Sequence, residues 1–116
     1  MRRNESLIGL PEHGQKKIII MKVENIYQQV LHESISKQQL YKNERFHVLL
    51  LQMKEGELLK THTSPTDAFL LVLEGSILFL IEEKEYLLKK GGSFTFKAGE
   101  KHAVQALTDA TFLLVK

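Results

Sequence analysis

The chain has 116 residues, of which 43% are hydrophobic and 26% charged. That is material for one folded domain and not the composition of a disordered, collagen-like or coiled-coil chain. It has no cysteine, which excludes disulfides, thiolate metal sites and a cysteine nucleophile. The formal charge of +2 is local: residues 1–20 hold Arg2, Arg3, Lys16 and Lys17 against Glu5 and Glu12, and residues 21–116 hold 12 basic and 12 acidic side chains. A body so balanced argues against a nucleic-acid-binding groove, and the basic stretch reads as a solvated tail.

The opening text, MRRNESLIGLPEHGQ, lacks the apolar core of a secretory signal. No apolar run approaches the ~20 residues of a membrane helix. Both point to a cytoplasmic protein with no membrane partner. Residues 1–20 carry Gly9, Pro11 and Gly14 and close on the β-branched run at 18–20. They read as an extension to a domain at 21–116, or their end, at 17–22, as an edge or exchanged strand. In residues 22–45 the spacing of Ile26, Val30 and Leu31 is weakly helical, while 35–41 suits neither period well. A short helical turn followed by strands is expected there.

From Phe46 onward the pattern is β. Residues 46–53 (FHVLLLQM) form a strand, 54–56 turn, and 58–63 continue extended as far as Pro65. Residues 69–73 (FLLVL) are a buried strand that stops at Gly75; 77–81 and 85–88 make a hairpin with a charged, solvated tip. Gly91 and Gly92 turn the chain, 93–97 is a strand, Gly99 turns again, and 103–107 and 111–115 complete the set. Many short strands with regular turn signals argue for an all-β sandwich or barrel. FHVLLLQM and FLLVL are too apolar for a sheet with one wet face, so cover from a second subunit is expected.

Within residues 56–106 two passages, GELLKTHTSPTDAFLLVLEG and GGSFTFKAGEKH, resemble the two motifs of the cupin family. Gly56, His62 and Gly75 match the first, and Gly91, Gly99 and His102 match the second; Lys97 stands where the family has proline. The resemblance implies a jelly-roll barrel (a double-stranded β-helix). It also implies barrels paired as a homodimer, and a pocket in which two histidines and a glutamate of the first motif and one histidine of the second hold a divalent metal such as Fe, Zn, Mn or Ni. Here Ser64 replaces the second histidine, and Ala68, or Phe69 with a longer spacer, replaces the glutamate. Of the four family positions only His62 and His102 keep a ligating side chain, and a third ligand would have to come from Asp67, His47 or the substrate.

Two imidazoles alone hold a divalent ion weakly, since resident sites usually take three protein ligands. Asp67 is a possible third ligand or a turn cap; it faces away from the pocket if Ala68, Leu70 and Val72 face inward. His47 is a spare imidazole or a packed one. The expected pocket therefore comprises His62 and His102, with Ser64, Asp67 and His47 as secondary candidates. Its apolar walls come from Leu49, Leu51, Leu70, Val72, Phe94 and Phe96 or their strand neighbours. Such a pocket suits a small organic molecule, and a protonated imidazole would favour an anion or carboxylate. The alternatives are a metal-dependent dioxygenase or isomerase using a third ligand, and a dimeric barrel filled by its own side chains. No triad, phosphate-cradling loop or dinucleotide fingerprint is present.

Overall fold

The computed structural model describes residues 25–28 and 33–116. Residues 1–20, read above as an extension or exchanged strand, lie outside them. Among the described residues a 3-10 turn, Ile26–Gln28, is followed by strands alone: β1 Ile35–Lys42, β2 His47–Met53, β3 Leu58–His62, β4 Ala68–Glu74, β5 Ser76–Ile81, β6 Lys84–Lys89, β7 Ser93–Phe96, β8 His102–Ala106 and β9 Ala110–Val115. They form two antiparallel sheets, ordered β1-β2-β9-β4-β7 and β3-β8-β5-β6. This is a jelly roll. Among the described residues no helix is long and apolar enough to cross a membrane.

Strand alternation decides what fills the space between the sheets. In β4 Ala68, Leu70 and Val72 are buried while Phe69 is exposed; in β5 Ile77, Phe79 and Ile81 are buried. Phe112 of β9 is packed from the facing side of the same core. Phe79 touches Phe94 and Phe96, with ring centroids 4.9 and 5.3 Å apart, inside the range favoured for tilted aromatic pairs. Strand β2 is apolar on both faces, as FHVLLLQM requires: Leu49, Leu51 and Met53 enter the core, and Leu50, pointing the other way, is also buried.

Residues 35–42, which fit no clear period in the sequence, are the eight-residue strand β1. Its pairing with β2 slips between Gln39 and Tyr41, a bulge that breaks the alternation. The hairpin tip is a tight turn in which Glu82 and Glu83 both take positive φ, 45° and 70°.

Candidate functional site

The ladder between β3 and β8 sets the site. Leu59 pairs with Val104, an inward residue of the core, and strict alternation from there would bring Thr61 opposite His102. The register slips between Leu59 and His62, so that His62 pairs with His102 instead. One extra residue in β3 thus carries an imidazole onto the face that Thr61 would have taken, a known use of bulges. The two rings meet edge to face with centroids 4.3 Å apart.

Both rings are anchored in the same way. Nδ1 of His62 lies 2.7 Å from the Lys60 carbonyl oxygen, and Nδ1 of His102 lies 2.9 Å from that of Glu100. A carbonyl only accepts, so each Nδ1 carries the proton and donates. In the neutral ring each Nε2 is then left with its lone pair, the tautomer that suits a ligand or a hydrogen-bond acceptor. The Glu100 carbonyl is held in turn: Lys97 N–H donates to Glu100 Oε1 at 2.7 Å, and Glu100 N–H to the Lys97 carbonyl at 3.2 Å. Proline at 97 would have no N–H to give.

His62 is exposed at the rim, whereas His102 is only 5% exposed and packs on Phe96 at a centroid distance of 4.3 Å. Burial pushes the His102 pKa below its ordinary value; the positive fields of His62 and Lys116 act in the same direction, against the raising effect of the Glu100 carbonyl.

His62 and His102 line one cavity of about 300 Å³ between the sheets. Leu59, Leu70, Phe79 and Phe96 form part of its wall. Phe112, Leu114, Val104, Leu51 and Ile35 complete the apolar lining, and Lys37 and Lys116 stand in it as well. Of the walls anticipated from sequence, Leu51, Leu70 and Phe96 reach this cavity. Leu49 and Val72 are core residues elsewhere, and Phe94 packs on Phe79 and Tyr86.

The secondary candidates are not brought to it. Asp67 accepts a hydrogen bond from Ala98 N–H at 2.9 Å and lines a separate, more open cavity of about 480 Å³ with Phe46 and Lys97. It caps the turn before β8, not the amides of its own turn, because the odd residues of β4 face away from Leu70. Ser64 is buried, but its hydroxyl accepts from Thr66 N–H at 3.3 Å and its carbonyl from Gly99 N–H at 2.9 Å; it joins two turns. His47 exchanges backbone hydrogen bonds with Lys116 and faces a third cavity beside Asn43 and Pro65.

The residues at 49–116 match the model of the cupin domain. The chain belongs to the cupin family. A conserved protein of unknown function from Streptococcus pyogenes superposes with a TM-score of 0.73 at 24% identity, covering 86% of this chain and 90% of that one. An RmlC-like cupin from Desulfovibrio desulfuricans gives a TM-score of 0.74 at 22% identity, over 83% of this chain and 95% of that one. A cupin 2 conserved barrel domain protein from Leptotrichia buccalis gives 0.70 at 27% identity, over 78% of this cupin and 44% of that chain. These likenesses establish the fold. Among curated proteins none matches this chain in sequence.

Among the described residues of this cupin the donor set falls short of the family's four ligands. Two imidazoles with free Nε2 atoms stand side by side, while Ser64 and Ala68 occupy the other two family positions. Among the described residues no group of three His, Asp or Glu side chains is placed to share an ion.

Proposed function

We propose that this cupin is a small-molecule-binding protein whose ligand occupies the cavity walled by His62 and His102. The observation that carries the reading is the cavity itself. It is apolar, lies between two otherwise packed sheets, and has two tautomer-fixed imidazoles in one wall, the usual make-up of a small-ligand site. Its volume of about 300 Å³ is about twice that of an engineered cavity that takes one benzene. The ligand is therefore of the size of a ring bearing a short chain.

Nuclear magnetic resonance of the labelled protein with a library of such molecules tests this. Binding should shift the amides of Leu70, Phe79, Val104 and Phe112 together, and Leu70→Phe, which fills the cavity, should abolish the shifts while the fold persists. Shifts confined to the Asp67 or His47 cavities, or none at all, would refute it.

The reading includes a second copy of the chain. The outer face of the larger sheet carries Phe69, 38% exposed, beside half-buried Leu71, Leu113 and Val115. These residues are supplied by the adjacent strands β4 and β9. A partner barrel packed on that face would cover a surface that a doubly apolar sheet does not leave to water.

A further inference from the structure

We infer that the ligand of this cavity is an organic monocarboxylate, with its carboxylate among Lys37, Lys116, His62 and His102 and its apolar body between the sheets. The inference rests on the binding function proposed above and adds the chemical class.

The argument starts from parity. On β9 the inward residues are Ala110, Phe112 and Leu114, all core or packed against it, and Lys116 follows two residues later. On β1 Ile35 packs against the core, and Lys37 follows two residues later, paired with inward Leu51. Both lysines thus stand on the side of the sheet that every other strand fills with hydrocarbon. Lys37 is exposed and Lys116 half-buried, so each keeps its charge at the solvent side of the one cavity that both line.

Among the described residues of the lining nine are apolar, four are Lys or His, and none is Asp or Glu; Lys116 also borders the Asp67 cavity. Lys116 lies close enough to His102 for its charge to oppose protonation of the ring. Net positive charge beside an apolar cavity attracts an anion. The imidazoles, protonated or neutral, can adapt to it, and the aliphatic and aromatic remainder offers a second charge nowhere to go. That selects one anionic group on an apolar body.

Three near-isosteres decide the matter: 3-phenylpropanoate, 3-phenylpropan-1-ol and 3-phenylpropylamine, titrated into the full chain in chelator-treated buffer and followed by amide shifts. The acid should bind about tenfold tighter than the alcohol, and the amine most weakly. Lys37→Gln and Lys116→Gln should each weaken the acid about two- to fivefold, as expected for partly solvated charges, and weaken the alcohol less than the acid. Salt should weaken the acid selectively. Alcohol and acid binding equally, or lysine variants without effect on the acid, would overturn the carboxylate assignment and leave the binding function standing. Tighter binding of the amine would do the same. Inorganic phosphate competing as well as the acid would show an anion subsite indifferent to the apolar body, which also refutes the assignment. Failure of all three phenylpropyl compounds to shift the cavity amides would remove both readings.

Discussion

His62 and His102 are cross-strand partners whose rings touch at a centroid distance of 4.3 Å, one exposed and one buried. A charge on His62 opposes protonation of His102. Burial and the charges of His62 and Lys116 hold His102 neutral to a lower pH than its ordinary 6.5. The unfolded chain, with this histidine near its ordinary pKa, therefore binds more protons than the folded one just below that value. Stability then rises with pH through this window. The contribution is complete above about pH 6.5 and is lost as pH falls toward the folded pKa. Urea unfolding at a series of pH values should show this slope, and His102→Gln should flatten it. A wild-type protein that gains stability on acidification between neutrality and the folded pKa would contradict the burial argument.

Metal content follows from the same pair. With two imidazole donors and neither Asp67 nor His47 in the same cavity, the untagged protein should retain iron, zinc, manganese and nickel well below one ion per chain after dialysis. Elemental analysis checks this, with His62→Ala and His102→Ala as controls. A stoichiometric ion that survives dialysis and disappears in both variants would mean that a third donor joins them, and would favour the metal-dependent enzyme over the binding protein.

Strands β2 to β9 are legible in the sequence because short apolar runs there are punctuated by glycines whose backbone needs positive φ, such as Gly56, Gly75, Gly91 and Gly99. Strand β1 is legible only as a strand expected somewhere in residues 22–45, without its bounds. Its bulge at Gln39 to Tyr41 disrupts the period, and most of its residues are exposed. Which face of each strand looks inward is hidden for a different reason: Leu49, Leu50 and Leu51 are all buried, so hydrophobicity does not distinguish the two sides. Motif spacing singles out His62 and His102, but alternation alone would have turned His62 outward; the slip in β3 is invisible in its residue types. Lys37 and Lys116 escape a reading by residue type because a lysine in a sequence reads as surface. The signal that could reveal Lys116 is its place two residues beyond Leu114, in phase with Phe112.

Oligomeric mass is the next test. Light scattering at micromolar concentration should give twice the chain mass, and Leu71→Asp, which places a charge on the outer face of β4, should shift the protein toward monomer without unfolding it. A wild-type monomer would refute the proposed pairing of barrels. A Leu71→Asp variant that remained dimeric would place the interface elsewhere.

The β5–β6 hairpin offers a gain in stability. Glu83 sits at φ 70°, a conformation that costs a residue with a Cβ about 1–2 kcal/mol. Glu82, also at positive φ, is tied down because its Oε2 accepts from Lys101 N–H at 2.9 Å. Glu83→Gly should therefore stabilise the protein by about 0.5–1 kcal/mol, the relief of strain being partly offset by the greater freedom of glycine in the unfolded chain. Glu82→Gly should gain less or nothing, since it also loses the bond next to His102. Chemical denaturation of the two variants gives the order.

Two glycines of the first motif have similar backbones and different surroundings, and so separate conformational strain from collision. Gly56 has φ +89° and nothing within 4 Å of where a Cβ would stand. Gly75 has φ +79°, and a Cβ there would collide with the Asp109 carbonyl oxygen and lie 2.8 Å from Thr108 Oγ1. That close approach belongs to the joint between β5 and the loop before β9, where Ser76 N–H donates to Thr108 Oγ1 at 3.0 Å. Gly56→Ala should cost about 1–2 kcal/mol, the strain alone. Gly75→Ala should cost a further 1–3 kcal/mol, roughly the overpacking penalty of a tight site, because the obstacle is backbone and has no free end to swing aside. Equal losses in the two variants would mean that the 108–110 loop yields to the added methyl. The midpoint and slope of urea unfolding, compared between the two alanine variants and the wild type, decide which holds.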